Sequence, residues 1–202
     1  MVITEGASVN GTDRFFTRQL CGNSQDAVAG LSRMAERIRV HGALPIIQLT
    51  HPGINSIPEN STNFVNGPSA FKHPRIKAKV IPFTYDQIKV VTTTFIEAAF
   101  SAWNAGYSGI EISGADGGLM QQFLSPLTNQ RKDEYGGSLE NRMRFGLVVI
   151  AEIKSRLADD FPILVRLNGN DFMDGGIGPE ELLDFAVALD EAGVQAFCVN
   201  VG

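Results

Sequence analysis

The sequence is poor in the residues that hold metal ions, disulfides and nucleic acids. Among its 202 residues there are two cysteines and three histidines. Cys21 and Cys198 are too far apart to form a metal-binding motif, and the histidines at positions 41, 51 and 73 are too scattered for a zinc site. The net charge is −5, whereas a nucleic-acid or anionic-membrane surface needs a basic stripe. We therefore expect free thiols, no bound metal and no nucleic-acid partner.

Long apolar runs are also missing, which excludes a membrane-spanning helix, since such a helix needs about 18 or more consecutive apolar residues. The start of the chain does not have the pattern of a secretory signal peptide. Apolar residues make up 44% and charged residues 19% of the chain, which is ordinary for a soluble domain. We expect a single cytoplasmic domain with its own hydrophobic core.

Two kinds of segment alternate along the chain. Short apolar runs typical of buried parallel strands occupy residues 2–4, 44–49, 110–112, 163–167 and 196–199. Apolar residues with helical spacing occupy residues 26–40, 84–106, 141–157 and 179–192. Alternation of this kind predicts an α/β fold with a parallel sheet of about five strands and helices outside it. The pattern alone leaves open whether the sheet closes into a barrel.

The connections that follow strands are much longer than those that follow helices. Long connections extend over residues 50–83 and 113–140, and in parallel α/β folds such connections build the active site at the carboxyl ends of the strands. Gln48 and Arg166 are polar residues at the ends of apolar strands, so they either cross-link the sheet end or contact a ligand. His51 could act as a base or a ligand, but a simple structural hydrogen bond is the favoured interpretation.

A long and specific stretch, QQFLSPLTNQRKDEYGGSLENRMRF at residues 121–145, resembles the old yellow enzyme family of FMN-dependent ene-reductases, which includes the 2,4-dienoyl-CoA reductases. VITEGASV, IIQLTHPG, NGPSA, AGYSGIEI and ILVRLNGNDF follow in the order of that family and cover the whole chain. The resemblance implies a (β/α)8 barrel that binds FMN, is reduced by NAD(P)H and acts on a small-molecule substrate. It leaves open whether the complete protein forms a homo-oligomer.

The same resemblance predicts an incomplete barrel. Residues 1–202 would form one partial domain with barrel strands two to six, truncated at both ends, and the chain begins and ends on strand-like runs that would leave raw sheet edges. The loops that hold the FMN phosphate in the family belong to strands seven and eight. We therefore expect the 202 residues alone to bind FMN weakly or not at all.

Flavin contacts carry over from the family to three residues. Gly6 matches a small residue where the backbone approaches the flavin, and Gln48 matches the glutamine that pairs with the pyrimidine edge. Arg166 matches the arginine whose positive charge stabilises the anionic reduced flavin. In contrast, Ile54 replaces the arginine that ends the family motif of which Gln48 is part.

The substrate side departs from the family. Ser113 and Asp116 occupy the positions of the two His or Asn donors that bind the substrate carbonyl, and Gly118 occupies that of the tyrosine proton donor. An ionised aspartate would repel a developing enolate unless the substrate brings a donor or a positive charge. The predicted function is an FMN-dependent NAD(P)H oxidoreductase that acts on an activated alkene or related substrate. The alternatives are a degenerate, non-catalytic flavin-binding remnant and a structural module without flavin.

Overall fold

The computed structural model describes residues 1–23, 25–57, 64–70, 78–158 and 160–201. The strands are β1 (Val2–Ser8), β2 (Pro45–Thr50), β3 (Phe64–Gly67), β4 (Lys79–Pro82), β5 (Ile110–Gly114), β6 (Ile163–Asn168) and β7 (Ala196–Asn200). The helices are α1 (Gln25–Val40), α2 (Tyr85–Asn104), α3 (Leu119–Leu124), α4 (Leu139–Lys154) and α5 (Pro179–Glu191), with one 3₁₀ turn at Gly53–Asn55.

Five of the strands form one parallel sheet in the order β1-β2-β5-β6-β7. The predicted arrangement of five parallel strands is thereby confirmed. Within the described residues β1 and β7 are the two edges of this sheet and do not pair with each other, so the sheet is open. The three central strands are buried on both faces, as near-continuous apolar runs predict.

The connection between β2 and α2 contains structure that the sequence pattern did not reveal. β3 and β4 pair in parallel as a separate two-stranded sheet, over a small cluster of Ile54, Val65 and Val80. Each strand has only four residues, too few for a recognisable period of alternation. Residues 58–63 and 71–77, which flank β3, lie outside the described residues.

The four predicted helices begin and end close to the predicted positions, whereas the short α3 lies within the predicted connection at residues 113–140. At α2 the predicted capping box is present, because Thr84 Oγ1 accepts from the Gln87 amide at 3.2 Å and the Thr84 amide donates to Gln87 Oε1 at 2.9 Å. At α5 Pro179 occupies the first turn, as predicted. Helix α4 begins at Leu139, with Ser138 as its N-cap, two residues before the predicted start at residue 141.

Helices α1 and α2 contact β2, and buried apolar residues of α2, α4 and α5 belong to one core cluster with those of the strands. The rings of Phe123 and Phe145 stack with their centroids 4.4 Å apart, and a buried Arg142 pairs with Glu181 of α5 at 2.5 Å. In the part of the chain that the structure describes, no helix has the length and hydropathy needed to cross a membrane. The packed helices leave the carboxyl ends of the strands as the place where polar side chains meet.

Candidate functional site

The carboxylate of Glu111 joins the two polar residues that stand out in the strands. Gln48 Nε2 donates to Glu111 Oε1 at 2.6 Å, and Arg166 Nε donates to the same oxygen at 3.1 Å. The parallel register explains the meeting, because Gln48 of β2 is the partner of Glu111 in β5, and Arg166 of β6 is the partner of Ser113. Gln48 and Arg166 lie 118 residues apart in sequence and still share one oxygen atom.

Glu111 is a fully buried charged residue, with an exposed fraction of 0%. Among the described residues its Oε2 atom has no hydrogen-bond partner, and an unpaired buried acceptor typically costs about 1–3 kcal/mol. Burial acts to lower the pKa of the Arg166 guanidinium, but the hydrogen bond to Glu111 and its charge outweigh burial and raise this pKa above its ordinary value. The contact with Glu111 therefore favours the charged form of the Arg166 guanidinium.

Sequence reasoning did not assign a role to Glu111. A signal for it existed, since an acid between two isoleucines in a buried strand is as conspicuous as Gln48 or Arg166. Its partners could not be known without the strand register, because a shift of one residue would turn the side chain to the other face of the sheet.

Gly6 lies beside Gln48, which is its register partner in β2. A Cβ atom at position 6 would stand 2.7 Å from Gln48 Oε1 and 3.1 Å from Thr50 Cγ2. The 2.7 Å distance is shorter than any normal contact of a Cβ atom, so only glycine at position 6 leaves the Gln48 side chain where it is. The three predicted flavin residues therefore form one contiguous patch, with Glu111 as a fourth member.

Asp116 occupies the turn after β5 in an unusual backbone conformation, with φ of +56°. Aspartate tolerates this left-handed region better than most side chains. Both carboxylate oxygens accept from Asn200 Nδ2, at 3.0 and 3.1 Å, and Asn200 Oδ1 accepts from Arg166 Nη1 at 2.8 Å. Asp116 is thus connected to Arg166 through one asparagine, which the sequence did not indicate.

Neighbouring loops hold this turn from both sides. The Gly117 carbonyl accepts from Asn55 Nδ2 at 2.8 Å and from Gln122 Nε2 at 2.6 Å, and the Gly117 amide donates to Gln121 Oε1 at 2.7 Å. The Asp116 amide donates to Asn168 Oδ1 at 3.3 Å. These bonds fix the position of the Asp116 carboxylate at the carboxyl end of the sheet.

The other two substrate-side positions carry small side chains. Ser113 is two residues beyond Glu111 and so lies on the same face of β5, where it is buried and pairs in register with Arg166. Gly118 precedes α3 with φ of −70°, a conformation open to any residue. A Cβ atom there would stand 3.2 Å from the Ala115 carbonyl oxygen, so a larger residue requires a small shift of that turn.

His51 is buried, and its side chain contacts residues of the neighbouring loops. Its Nδ1 atom accepts from the Gly53 amide at 3.0 Å, and its Nε2 atom lies 3.6 Å from Asp13 Oδ2. Burial acts to raise the pKa of the Asp13 carboxyl, but the nearby His51 and the hydrogen bonds from Asn10 and Thr12 outweigh burial and lower it to about 2. These contacts support the structural interpretation of His51.

In the described ranges no group of three or more His, Cys, Asp or Glu side chains could hold a metal ion. The side chains at the carboxyl end offer several groups that can bind an organic ligand. Gln48 offers an amide, Arg166 a fixed positive charge, Ser113 a hydroxyl and Asp116 a carboxylate. A planar heterocycle with N–H and carbonyl groups on one edge is complementary to the first two residues.

Comparison with known proteins agrees with this chemistry. The sequence profile of the NADH:flavin oxidoreductase / NADH oxidase family matches residues 1–202. An NADPH dehydrogenase of Halalkalibacterium halodurans is 38% identical over 202 residues, which are 100% of this chain and 58% of that protein.

Two solved structures share the fold over almost the entire chain. A 2-naphthoyl-CoA reductase in complex with 2-naphthoyl-CoA superposes with a TM-score of 0.92 at 29% identity, covering 100% of this chain and 33% of that one. An old yellow enzyme homologue from Zymomonas mobilis superposes with a TM-score of 0.88 at 23% identity, covering 98% of this chain and 59% of that one. The five-stranded sheet therefore has the fold of the barrel found in old yellow enzymes, and the chain spans little more than half of the dehydrogenase relative.

Proposed function

The chain belongs to the NADH:flavin oxidoreductase / NADH oxidase family, and from this we propose that it forms the flavin-binding part of an FMN-dependent oxidoreductase. When bound, FMN supplies the redox chemistry, accepting hydride from NADH or NADPH and passing it to an activated alkene or a related small molecule. The residues of this chain bind and orient the reactants and set the charge around them.

The observation that carries the proposal is the convergence of Gln48 and Arg166 on one oxygen of Glu111. A side-chain amide carries a donor and an acceptor side by side, which suits the alternating carbonyl and N–H groups of the flavin pyrimidine edge. The Arg166 guanidinium supplies a fixed positive charge for the negative charge that develops there on reduction. Gly6 keeps the Gln48 side chain in place. We propose these three residues as the flavin contacts of the chain.

On the substrate side, we propose Ser113 and Asp116 as the residues that contact the reacting group. The Ser113 hydroxyl can donate one hydrogen bond to a carbonyl oxygen. The Asp116 carboxylate can only accept while it is ionised, so it favours a substrate that presents an N–H, O–H or cationic group and disfavours a developing enolate. Simple cyclic enones would then be poor substrates.

We also propose that the complete protein is cytoplasmic, where NAD(P)H is available as the reductant. Its reaction partner is expected to be a small molecule. Size-exclusion chromatography with light scattering on the complete protein that carries these residues would establish whether it forms a homo-oligomer.

FMN titration of the complete protein tests the proposed function. We expect one FMN per chain, and at least tenfold weaker binding in Gln48→Ala and in Arg166→Ala, because a hydrogen bond to a charged group is worth about 1.5–3 kcal/mol. Arg156→Ala is the control, since Arg156 is an exposed residue just beyond the end of α4 whose side chain, among the described residues, pairs with Glu152. Absence of flavin binding, or equal affinity in all variants, would contradict the proposal.

A further inference from the structure

Glu111 is a buried charged residue at the centre of the candidate site, and the proposed function gives it no role. It lies between Ile110 and Ile112 in the central strand β5, and all three residues have an exposed fraction of 0%. Its Oε1 atom accepts from both Gln48 and Arg166, whereas its Oε2 atom is buried and finds no partner in the part of the chain that the structure describes. A carboxylate with half of its acceptor capacity unused in the interior requires an explanation.

Stability does not explain it. Replacing a buried ion pair with apolar residues of similar volume is often neutral or stabilising, because desolvation of two charges offsets their attraction. Gln48 and Arg166 could also be held by other means, as Arg166 already donates to Asn200 Oδ1 at 2.8 Å.

Two physical effects of Glu111 act on its partners. The first concerns orientation: the Gln48 amide has its Nε2 atom on Glu111 and its Oε1 atom towards Gly6, so the carboxylate decides which end of the amide faces which way. The second concerns charge: the negative carboxylate lies 3.1 Å from Arg166 Nε and offsets much of the positive charge that Arg166 presents to a ligand.

We propose that Glu111 is a positioning and charge-tuning residue for the flavin, an inference that rests on the proposed function. It fixes the amide orientation of Gln48, and by partly neutralising Arg166 it lowers the reduction potential of the bound flavin. Removing its charge leaves Arg166 uncompensated, which stabilises the anionic reduced flavin and raises the potential.

The test is the two-electron midpoint potential of bound FMN in the complete protein and in Glu111→Gln. The glutamine is nearly isosteric and can still accept from Gln48 and Arg166 through its carbonyl oxygen, so the change removes mainly the charge. We expect a shift to more positive potential that corresponds to at least a tenfold change in the reduction equilibrium, about 30 mV for a two-electron couple. FMN affinity should change less in Glu111→Gln than in Glu111→Leu, which removes the orientation of Gln48 as well.

Glu181→Gln is the control, because it makes the same chemical change in the Arg142–Glu181 pair between α4 and α5, in which Arg142 is buried and Glu181 is partly exposed. We expect it to lower stability and to leave the flavin potential unchanged. A potential that is unchanged or more negative in Glu111→Gln overturns the role of Glu111, and so does an equal shift in both variants. Absence of FMN from the unmodified protein would overturn the proposed function together with this inference, whereas a flavin that binds but does not respond overturns the inference alone.

Discussion

Asn200 Nδ2 donates to both carboxylate oxygens of Asp116, at 3.0 and 3.1 Å. The two residues lie 84 positions apart, at the end of β7 and in the turn after β5. Asp116 is therefore held by a neutral amide, in the turn that we propose faces the substrate.

Substitution of Asp116 by asparagine should increase the rate at which cyclohexenone reoxidises the reduced flavin. The change removes the repulsion of the developing enolate and adds a donor, while the remaining side-chain oxygen still accepts from Asn200. One oxyanion donor is typically worth about 10²- to 10³-fold in rate, and we expect part of that gain in stopped-flow measurements of reoxidation.

Adding Ser113→His and Gly118→Tyr should raise this rate further, because the three changes together restore two donors and a proton source. The tyrosine needs a small movement of the turn, since its Cβ atom would start 3.2 Å from the Ala115 carbonyl oxygen. If the unmodified protein already reoxidises at rates typical of the family, or the triple variant gains nothing, then Asp116 serves another mechanism.

Gly6→Ala should weaken flavin binding by displacing Gln48. The new Cβ atom would lie 2.7 Å from Gln48 Oε1, so the amide must move and its hydrogen bond to Glu111 lengthens or breaks. Gly30→Ala in α1 is the control, because a Cβ atom there meets nothing within 4 Å and alanine in a helix interior is favoured over glycine by about 1 kcal/mol. FMN titration should show weaker binding in the first variant only, and equal affinity in both would exclude the contact.

The Asp13–His51 pair should make stability depend on pH in the acid range. The pKa of Asp13 is about 2 in the folded protein against an ordinary value of 3.8. A lowered pKa contributes stability that is present above pH 3.8 and is lost as the pH falls towards 2. In urea unfolding of the complete protein, the difference in unfolding free energy between the unmodified protein and Asp13→Asn should shrink through this window. A difference that stays constant from pH 5 to pH 2 would show that the pair does not act in this way.

The larger part of the fold follows from the sequence because its determinants are local. Near-continuous apolar runs mark β2, β5 and β6, and Thr84 with Gln87 marks the start of α2. Strands β3 and β4 were not predictable from the sequence, because each is only four residues long and is recognisable only once its pairing partner is known.

The candidate site, like the fold, is only partly predictable from the sequence. Gln48 and Arg166 stand out as polar residues in apolar strands, and the resemblance to the family assigns them to the flavin. The contacts of Glu111 and of Asn200 depend on which residues face each other across strands, which is a property of register that no local pattern contains. The sequence therefore indicates the parts of the site but not the network that connects them.

Anaerobic mixing of the complete protein with NADH or NADPH, followed by flavin absorbance, tests most directly whether Gln48 and Arg166 hold a reducible flavin. We expect the flavin band to bleach in the unmodified protein and in Asp116→Asn at similar rates, because Asp116 reaches Arg166 through Asn200 and is proposed to face the substrate. In Arg166→Met, at saturating FMN, reduction should be slower and the midpoint potential lower, since the positive charge that stabilises reduced flavin is gone. No bleaching in the unmodified protein, or an Arg166→Met variant reduced as fast as Asp116→Asn, would contradict this assignment.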